Sequence, residues 1–118
     1  MEIKLSDGEL KLMELLWIRE PVSAKQLSLR ATEQYGWNKN TTYTVIKKLV
    51  DKKAILRTEP NFMCTALVNK EEVRKAETET LISKLYNGSR RALFSSLLED
   101  GHLSSEELDE LRKMIEKR

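Results

Sequence analysis

A mainly α-helical fold with one small β-hairpin is predicted by the sequence, on three observations. Apolar residues recur at helical spacing over most of the 118 residues. Residues that cap helix N-termini stand immediately before these apolar periods. One stretch, residues 55–68, departs from the helical period and places turn residues between two short strand-like segments.

Six helices are predicted, each beginning at a side chain that can accept a hydrogen bond from a free N–H group of the first turn. These capping residues are Ser6, Ser23, Asn38, Asn69, Ser89 and Ser104. Glu or Gln follows three residues after four of them, which is the capping-box pattern. The helix ends are marked by Pro21, Gly36, Asn87-Gly88 and Gly101.

The hairpin follows the third helix. Residues 55–58 form its first strand, Glu59-Pro60-Asn61 its turn, and residues 62–68 its second strand. Three short helices followed by a hairpin is the element order of a winged helix-turn-helix domain. We therefore predict this domain over residues 1–68 and a three-helix domain over residues 69–118.

The second predicted domain is too small to bury its own apolar surface. Three amphipathic helices in fifty residues lie near the size at which chains need metals, disulfides or oligomerisation. A homodimer joined through this domain is therefore predicted. The apolar residues assigned to the dimer interface are Leu81, Leu85, Leu93, Phe94, Leu97, Leu98, Leu108, Leu111 and Ile115.

Positive charge is concentrated on and after the third helix. Residues 36–58 hold six Lys or Arg side chains and one acid, although the net charge of the whole chain is only +2. One face of the helix is apolar, through Thr42, Val45, Ile46 and Leu49, and the opposite face is polar and basic. Such a concentration of charge is typical of a phosphate-binding surface.

Double-stranded DNA is the predicted partner of this polar face. Asn side chains suit an adenine edge, Thr side chains suit phosphates or a thymine methyl, and Lys side chains suit guanine or phosphate. Two hairpin residues are expected along the DNA backbone or over a minor groove. The predicted DNA contacts are Lys39, Asn40, Thr41, Tyr43, Thr44, Lys47, Lys48, Arg57 and Asn61.

Less specific interpretations accompany these assignments. The basic face could be an ordinary solvated helix surface, and Arg57 and Asn61 could be plain surface residues of a turn. A winged helix can also be a scaffold that binds another protein, because a fold does not establish a function. Trp17 and Trp37 could stack on bases, but their positions beside apolar segments favour core packing.

Composition argues against other classes of protein. One Cys and one His cannot form a disulfide or a zinc tetrad, and no phosphate loop or nucleophile motif occurs, so we expect neither an enzyme nor a cofactor. The longest apolar runs are a few residues and the first twenty lack a signal-peptide pattern, which predicts a cytoplasmic protein without membrane insertion. Cys64 is predicted to be a buried small apolar residue, not a redox sensor.

Particular residues also occur in a familiar order. The N-terminal part reads Ser6-Asp7-x-Glu9-Leu10-x-Leu12-Met13-x-x-x-Trp17, then Val22-Ser23-Ala24, then Trp37-x-x-x-Thr41-x-x-Thr44-Val45-x-x-x-Leu49-Val50-x-Lys52. The C-terminal part reads Ala66-Leu67-Val68-x-x-Glu71-Glu72, then Leu85-Tyr86-Asn87-Gly88, then Leu103-Ser104-x-x-Glu107-Leu108-x-Glu110-Leu111. Together they resemble the penicillinase-repressor family, also called the BlaI/MecI/CopY family.

This resemblance implies a homodimer that binds a two-fold symmetric operator and represses transcription. In the β-lactam-responsive members a membrane sensor protease signals cleavage in the fifth helix, which weakens the dimer. The equivalent bond here is Ser96-Leu97, where the best-known members have Asn-Phe. This chain also lacks the C-terminal cysteine motif of the copper-responsive branch, and it has Lys53 where many relatives have Gly.

Overall fold

The computed structural model describes residues 3–118, and its elements alternate short helices with three short strands before ending in three helices. In chain order the elements are α1 (Asp7–Ile18), β1 (Val22–Ser23), α2 (Ala24–Tyr35), α3 (Lys39–Asp51), β2 (Ile55–Thr58), β3 (Met63–Ala66), α4 (Lys70–Tyr86), α5 (Arg90–Glu99) and α6 (Ser105–Glu116). The six predicted helices and the hairpin are confirmed.

The core of the N-terminal part lies between α1, α2 and α3. Each helix turns its apolar face inward, and several large side chains lose all contact with solvent: Leu12, Met13, Leu16, Leu27, Ile46 and Leu49. Burial of a Leu, Ile or Met side chain contributes about 1.5–3 kcal/mol each, so these six dominate the stability of the unit. Trp17 and Trp37 pack against this core, and the Trp17 Nε1–H donates to the Val68 carbonyl at 3.0 Å. The core interpretation of both tryptophans is confirmed.

A three-stranded antiparallel sheet closes one side of this core, in the order β1-β3-β2. Arg57 and Val22 both stand opposite Cys64 of the central strand, one on each side. Strand β1 was not predicted, because two residues are too few to show a strand period. Helices α1 to α3 with this sheet form a winged helix, as predicted.

Cys64 of the central strand is fully buried. Desolvation raises the pKa of its thiol to about 11, although the nearby Arg57 charge acts in the opposite direction. The thiol is therefore protonated at neutral pH and is a poor nucleophile. Both observations confirm the prediction that Cys64 packs as a small apolar residue.

Most helix caps follow the sequence, but Ser23 with Gln26 forms only half of its predicted capping box: the Ser23 side chain accepts from the Gln26 N–H, and Gln26 does not bond back to Ser23. Ser6 with Glu9 and Ser104 with Glu107 form complete capping boxes, and the side chains of Ser23, Asn38 and Ser89 accept hydrogen bonds from the first turns of α2, α3 and α5. Gly36 ends α2 in the left-handed region, with φ of 72°, a conformation that glycine adopts without steric strain. Asn69 Oδ1 accepts from the Glu71 N–H at 2.7 Å at the start of α4.

The chain divides into two compact units, Met1–Ala76 and Glu77–Arg118, and the division falls inside α4. The predicted boundary lies between residues 68 and 69, before α4. The first turns of α4 belong to the N-terminal unit because Val73 is buried and Lys70 pairs with Glu14 of α1 at 3.3 Å. Within residues 3–118, no helix is both long and apolar enough to cross a bilayer.

The second unit contains the end of α4 with α5 and α6. Ile82 is buried, and the Tyr86 hydroxyl donates to Ser96 Oγ at 3.2 Å, which connects α4 to α5. Arg90 forms an ion pair with Glu79 between the same two helices. Neither α5 nor α6 has a buried residue. The apolar residues of these helices therefore remain largely in contact with solvent.

An ion pair between the buried Glu9 and the exposed Lys52 joins the start of α1 to the end of α3. Lys52 Nζ lies 2.6 Å from Glu9 Oε1, and the Glu9 side chain is only 4% exposed. Burial raises the pKa of Glu9, but the hydrogen bonds from Lys52 and the Ser6 backbone outweigh burial, so the pKa lies below its ordinary value of 4.5. The pair therefore stabilises the fold above that pH, and the contribution is lost as the pH falls through the lowered pKa.

We expect Glu9→Gln to lower the free energy of unfolding by about 1–3 kcal/mol at neutral pH. The buried side chain at position 9 loses its negative charge, and Lys52 therefore loses its ion-pair partner. The loss of stability between pH 5 and pH 3 should be shallower in the variant. Glu14→Gln is the matched control, since the Glu14–Lys70 pair is more than a third exposed and should contribute under about 1 kcal/mol. Urea unfolding at several pH values measures both. Equal losses in the two variants would contradict this role for Glu9.

Lys53, after α3, adopts the left-handed conformation with φ of 64°. Its N–H donates to the Val50 carbonyl at 3.0 Å, so the turn that ends the helix requires this geometry. Glycine adopts it without steric strain, and Lys53→Gly should therefore stabilise the chain by about 1 kcal/mol. Lys53→Ala is the control, because it removes the same charge and keeps the Cβ atom. Thermal unfolding should show a higher melting temperature for the glycine variant alone.

Candidate nucleic-acid interface

The outer face of α3 is a continuous exposed polar surface. Six of the residues predicted to contact DNA lie on it and are exposed: Lys39, Asn40, Thr41, Thr44, Lys47 and Lys48. The opposite face packs into the core through Thr42, Ile46 and Leu49, all fully buried. Amphipathic packing thus fixes which face of the helix is presented to solvent.

The lysines of this face are not neutralised by the protein itself. Within residues 3–118, Lys39, Lys47 and Lys48 form no ion pair with a carboxylate, and Lys39 Nζ lies 5.8 Å from the centre of the Tyr43 ring. Lys52 differs, because its ammonium group is held by Glu9. The free positive charge is therefore concentrated on the exposed face of α3, where it can attract phosphate groups.

The hydroxyl and amide groups of α3 are partly committed to the helix. The Thr44 hydroxyl donates to the Asn40 carbonyl at 2.9 Å, so its methyl group and an oxygen lone pair remain for a partner. The Thr41 backbone N–H donates to Asn38 Oδ1 at 2.8 Å. The exposed side chains of Asn40 and Thr41 make no hydrogen bond with the part of the chain that the structure describes. Asn40 is therefore the polar residue of α3 best suited to read a base edge.

An aromatic contact joins α3 to the hairpin. Tyr43 is half-buried and meets Phe62 edge to face, with 6.1 Å between ring centres. The Arg57 guanidinium lies over the other ring of this pair, 3.6 Å from the centre of Phe62. A cleft between α3 and the hairpin is lined by residues of both elements: Lys47, Val50, Asp51, Arg57 and Phe62. The structure thus brings Arg57 close to the predicted reading helix.

Arg57 is also paired with an acid of the hairpin turn. Its Nε–H donates to Glu59 Oε2 at 2.6 Å, and this hydrogen bond holds the pKa of Glu59 below its usual range. Asn61, the other predicted hairpin contact, is exposed and has φ of 73°. It lies in the turn, immediately before Phe62 in the chain. The two hairpin residues therefore have different surroundings.

Two residues of this region were missed by the sequence analysis, Glu59 and Phe62. Glu59 was assigned only to a turn, and Phe62 only to a strand. Their contacts with Arg57 depend on a turn in which Asn61 and Phe62 both have positive φ. No local periodicity signals such a turn.

The residues predicted for the dimer interface lie in the second unit and most are exposed. Leu81, Leu85, Phe94, Leu97, Leu98, Leu108, Leu111 and Ile115 are all at least 39% exposed, and Leu93 is half-buried. Of the pair at the predicted cleavage bond, Ser96 is half-buried and Leu97 is exposed, and both lie inside α5.

Comparisons with known proteins identify the family of this chain. The family model described as penicillinase repressor matches residues 5–117. The chain is 27% identical to the methicillin resistance regulatory protein MecI of Staphylococcus aureus strain N315 over 117 residues, covering 98% of this chain and 95% of the relative. It is 23% identical to the penicillinase repressor of Bacillus licheniformis over 115 residues, covering 96% and 90%.

Solved structures share the fold of the N-terminal part. The solution structure of the DNA binding domain of the repressor BlaI superposes with a TM-score of 0.55 at 19% identity, covering 59% of this chain and 88% of that one. The Bacillus licheniformis BlaI monomeric form in complex with the blaP half-operator gives a TM-score of 0.54 at 20% identity, covering 60% and 90%. Because the family model extends over nearly the whole chain, the protein belongs to the penicillinase repressor family.

Proposed function

We propose that this protein is a transcriptional repressor that binds double-stranded DNA sequence-specifically, as a homodimer on a two-fold symmetric operator. The observation that carries the proposal is the exposed face of α3, where amide, hydroxyl and unpaired ammonium groups lie together on a helix of 13 residues. A helix of this kind fits the major groove and can contact base edges and phosphates together. The family membership supports the same conclusion.

Different residues of the interface are assigned different tasks. Asn40, Thr41 and Thr44 read bases from the first turns of α3, and Tyr43 supports them from beside the face. Lys39, Lys47 and Lys48 contact phosphates, while Arg57 and Asn61 extend the contact along the DNA from the hairpin. Half or more of the hydrogen bonds in such complexes go to the backbone, so this division is physically ordinary. The BlaI structure with a half-operator supports DNA as the partner.

We expect Lys47→Ala to weaken binding to specific and random duplexes alike and to reduce the slope of log affinity against log salt by about one, because one phosphate contact is lost. Fluorescence anisotropy with both duplexes between about 50 and 200 mM salt measures this slope. Lys75→Ala, on the exposed part of α4, is a matched control for loss of one positive charge. An unchanged slope would remove Lys47 from the phosphate-contacting set.

The homodimer is proposed from the exposed apolar side chains of the second unit. An unpaired cluster of large apolar residues on three short helices stabilises a protein only when another surface covers it. A second copy offers the same residues in a self-complementary arrangement. In such a dimer, two winged-helix units are connected. Once one unit has bound its half of the operator, the other is held at a high effective concentration near the second half, which a single unit lacks. The dimerisation role of residues 77–118 follows from this argument.

Release from DNA by proteolysis is the regulatory part of the proposal, with a membrane sensor protease as the upstream partner. Cleavage at Ser96-Leu97 would divide α5 and separate part of the apolar surface from the rest of the chain. A protease needs an extended substrate, so the helix must first open locally. Because α5 has no buried residue within its own chain, the contacts that oppose this opening are those of the proposed dimer interface.

A binding assay at two salt concentrations tests the DNA-binding proposal. The chain should bind a random duplex at low salt and bind a selected operator at both concentrations. Failure to bind any duplex at low salt would contradict the proposal and favour a scaffold that binds another protein. Sedimentation equilibrium on the same sample tests the homodimer, and a monomer at micromolar concentration would contradict that part.

A further inference from the structure

The guanidinium of Arg57 is held at one end and free at the other. Its Nε–H donates a hydrogen bond to Glu59 Oε2 at 2.6 Å. The guanidinium lies over the Phe62 ring, with 3.6 Å between Cζ and the ring centre. Its two terminal amino groups make no hydrogen bond with any of residues 3–118. An arginine in this state presents a planar fork of donors with little freedom left to lose on binding.

The platform under Arg57 is itself fixed on several sides. Phe62 meets Tyr43 of α3 edge to face, and its carbonyl accepts from the Ala24 N–H at 2.9 Å. The Phe62 N–H donates to Glu59 Oε1 at 3.3 Å, while Oε2 of the same carboxylate holds Arg57. One carboxylate therefore connects the cation to the backbone of its own platform.

Arg57 lines a cleft together with a second cation. Lys47 of α3 and Arg57 of the hairpin line this cleft together, with Asp51 as the acid beside them. A DNA phosphate offers paired oxygens that match an arginine fork, and the second cation, Lys47, favours it further. Arg57 is stacked on Phe62 along its flat face, which limits its reach into a groove, so a phosphate suits it better than a base edge.

We propose that Phe62 and Glu59 are positioning residues that pre-orient Arg57 to grip one DNA phosphate at the cleft between α3 and the hairpin. This inference rests on the proposed DNA-binding function. It adds that the hairpin contributes affinity through one arginine, whose orientation is set before DNA arrives.

A double-mutant cycle between Arg57 and Phe62 tests the platform, with the full-length chain on a selected operator and on a random duplex across a salt series. Arg57→Ala should weaken binding to both duplexes about tenfold and reduce the salt slope by about one. Phe62→Ala should weaken both by a smaller factor, about three- to fivefold. The double variant should bind no more weakly than Arg57→Ala alone, since the ring acts through the cation.

Two further variants keep the platform test decisive. Arg57→Lys retains the charge, so it should keep the salt slope but lose about threefold in affinity with the fork and the stacking. Phe62→Leu retains an apolar contact with Tyr43 if Phe62→Ala fails to fold, and it should show the same lack of additivity. Lys11→Ala is the matched control, because Lys11 of α1 is also a cation over an aromatic ring: its Nζ lies 5.5 Å from the centre of the Tyr35 ring of α2. This variant should leave DNA binding unchanged.

Glu59 is tested by the same logic. In the Arg57→Ala background, Glu59→Gln removes only a negative charge near DNA and should strengthen binding. With Arg57 present, the same substitution should strengthen binding less or weaken it, because the orientation of the fork is lost. An equal or larger gain with Arg57 present would show that Glu59 only repels or competes with DNA, and it would overturn its positioning role.

Other outcomes would overturn the inference while sparing the proposed function. Additive losses for Arg57→Ala and Phe62→Ala would mean that the ring does not act through the arginine. A loss confined to the specific operator would assign Arg57 to a base edge instead of a phosphate. Failure of the unmodified chain to bind any duplex would overturn the proposed function itself.

Discussion

Combined replacement of Asn40, Thr41 and Thr44 by Ala is expected to lower affinity for the operator at least about 100-fold. Each good contact to a base edge contributes about 1–3 kcal/mol of discrimination, and these three side chains are the exposed non-cationic groups of the reading face. Affinity for a random duplex should change little, because the lysines that we propose to contact phosphates remain. The ratio of the two affinities, measured at one salt concentration, is the informative quantity.

A control separates recognition from damage to the fold in this variant. Glu33→Ala/Gln34→Ala changes two exposed residues near the end of α2 and should leave the ratio unchanged. Alanine is also a better helix former than Asn or Thr, so the triple variant should unfold at no lower temperature than the unmodified chain. Operator binding unaffected by the triple replacement would remove α3 from the recognition role.

Phe94→Glu is expected to dissociate the proposed homodimer and to lower affinity for a complete operator at least about 100-fold. Phe94 is 60% exposed on α5, and a charge placed in a buried apolar interface carries a large desolvation penalty. Two connected DNA-binding units gain a factor of about 10²–10⁴ in affinity over a single unit, so a monomer should bind the complete operator more weakly by a factor in this range. Binding to a half-operator should be nearly unchanged.

Ile18→Glu is the matched control for the dimer prediction. Ile18 is 76% exposed, but it lies at the end of α1, outside the predicted dimerisation residues. This variant should remain dimeric by sedimentation and should bind the complete operator with nearly the original affinity. A dimer that survives Phe94→Glu would mean that α5 does not contribute to the interface.

Local signals in the sequence predicted the helices of this fold well. Ser6 and Ser104 were identified as capping-box serines, and both boxes are complete in the structure. The amphipathic pattern of α3 predicted that Ile46 and Leu49 would be buried and Lys47 and Lys48 exposed. These features depend on residues within one or two turns of each other, which is the range that sequence patterns describe.

Features that depend on distant residues were not predictable in the same way. The pairing of Val22 with Cys64 and the ion pair between Glu9 and Lys52 join residues more than forty positions apart. Lys52 is one of the six basic residues of the segment 36–58, but its charge stabilises the fold through the ion pair with Glu9. The stacking of Arg57 on Phe62 requires the observed turn geometry as well as the right residue types. Tertiary structure, not local propensity, determines these contacts.

Selection of bound duplexes from a random DNA pool, with the 118-residue chain, tests the central claim most directly. We predict a consensus made of two inverted half-sites at a fixed spacing, because the proposed dimer would hold two identical DNA-binding units. The Asn40, Thr41 and Thr44 triple variant should fail to enrich that consensus. Enrichment of no sequence at all, or of a single half-site without symmetry, would contradict the claim that this chain is a dimeric, sequence-specific repressor.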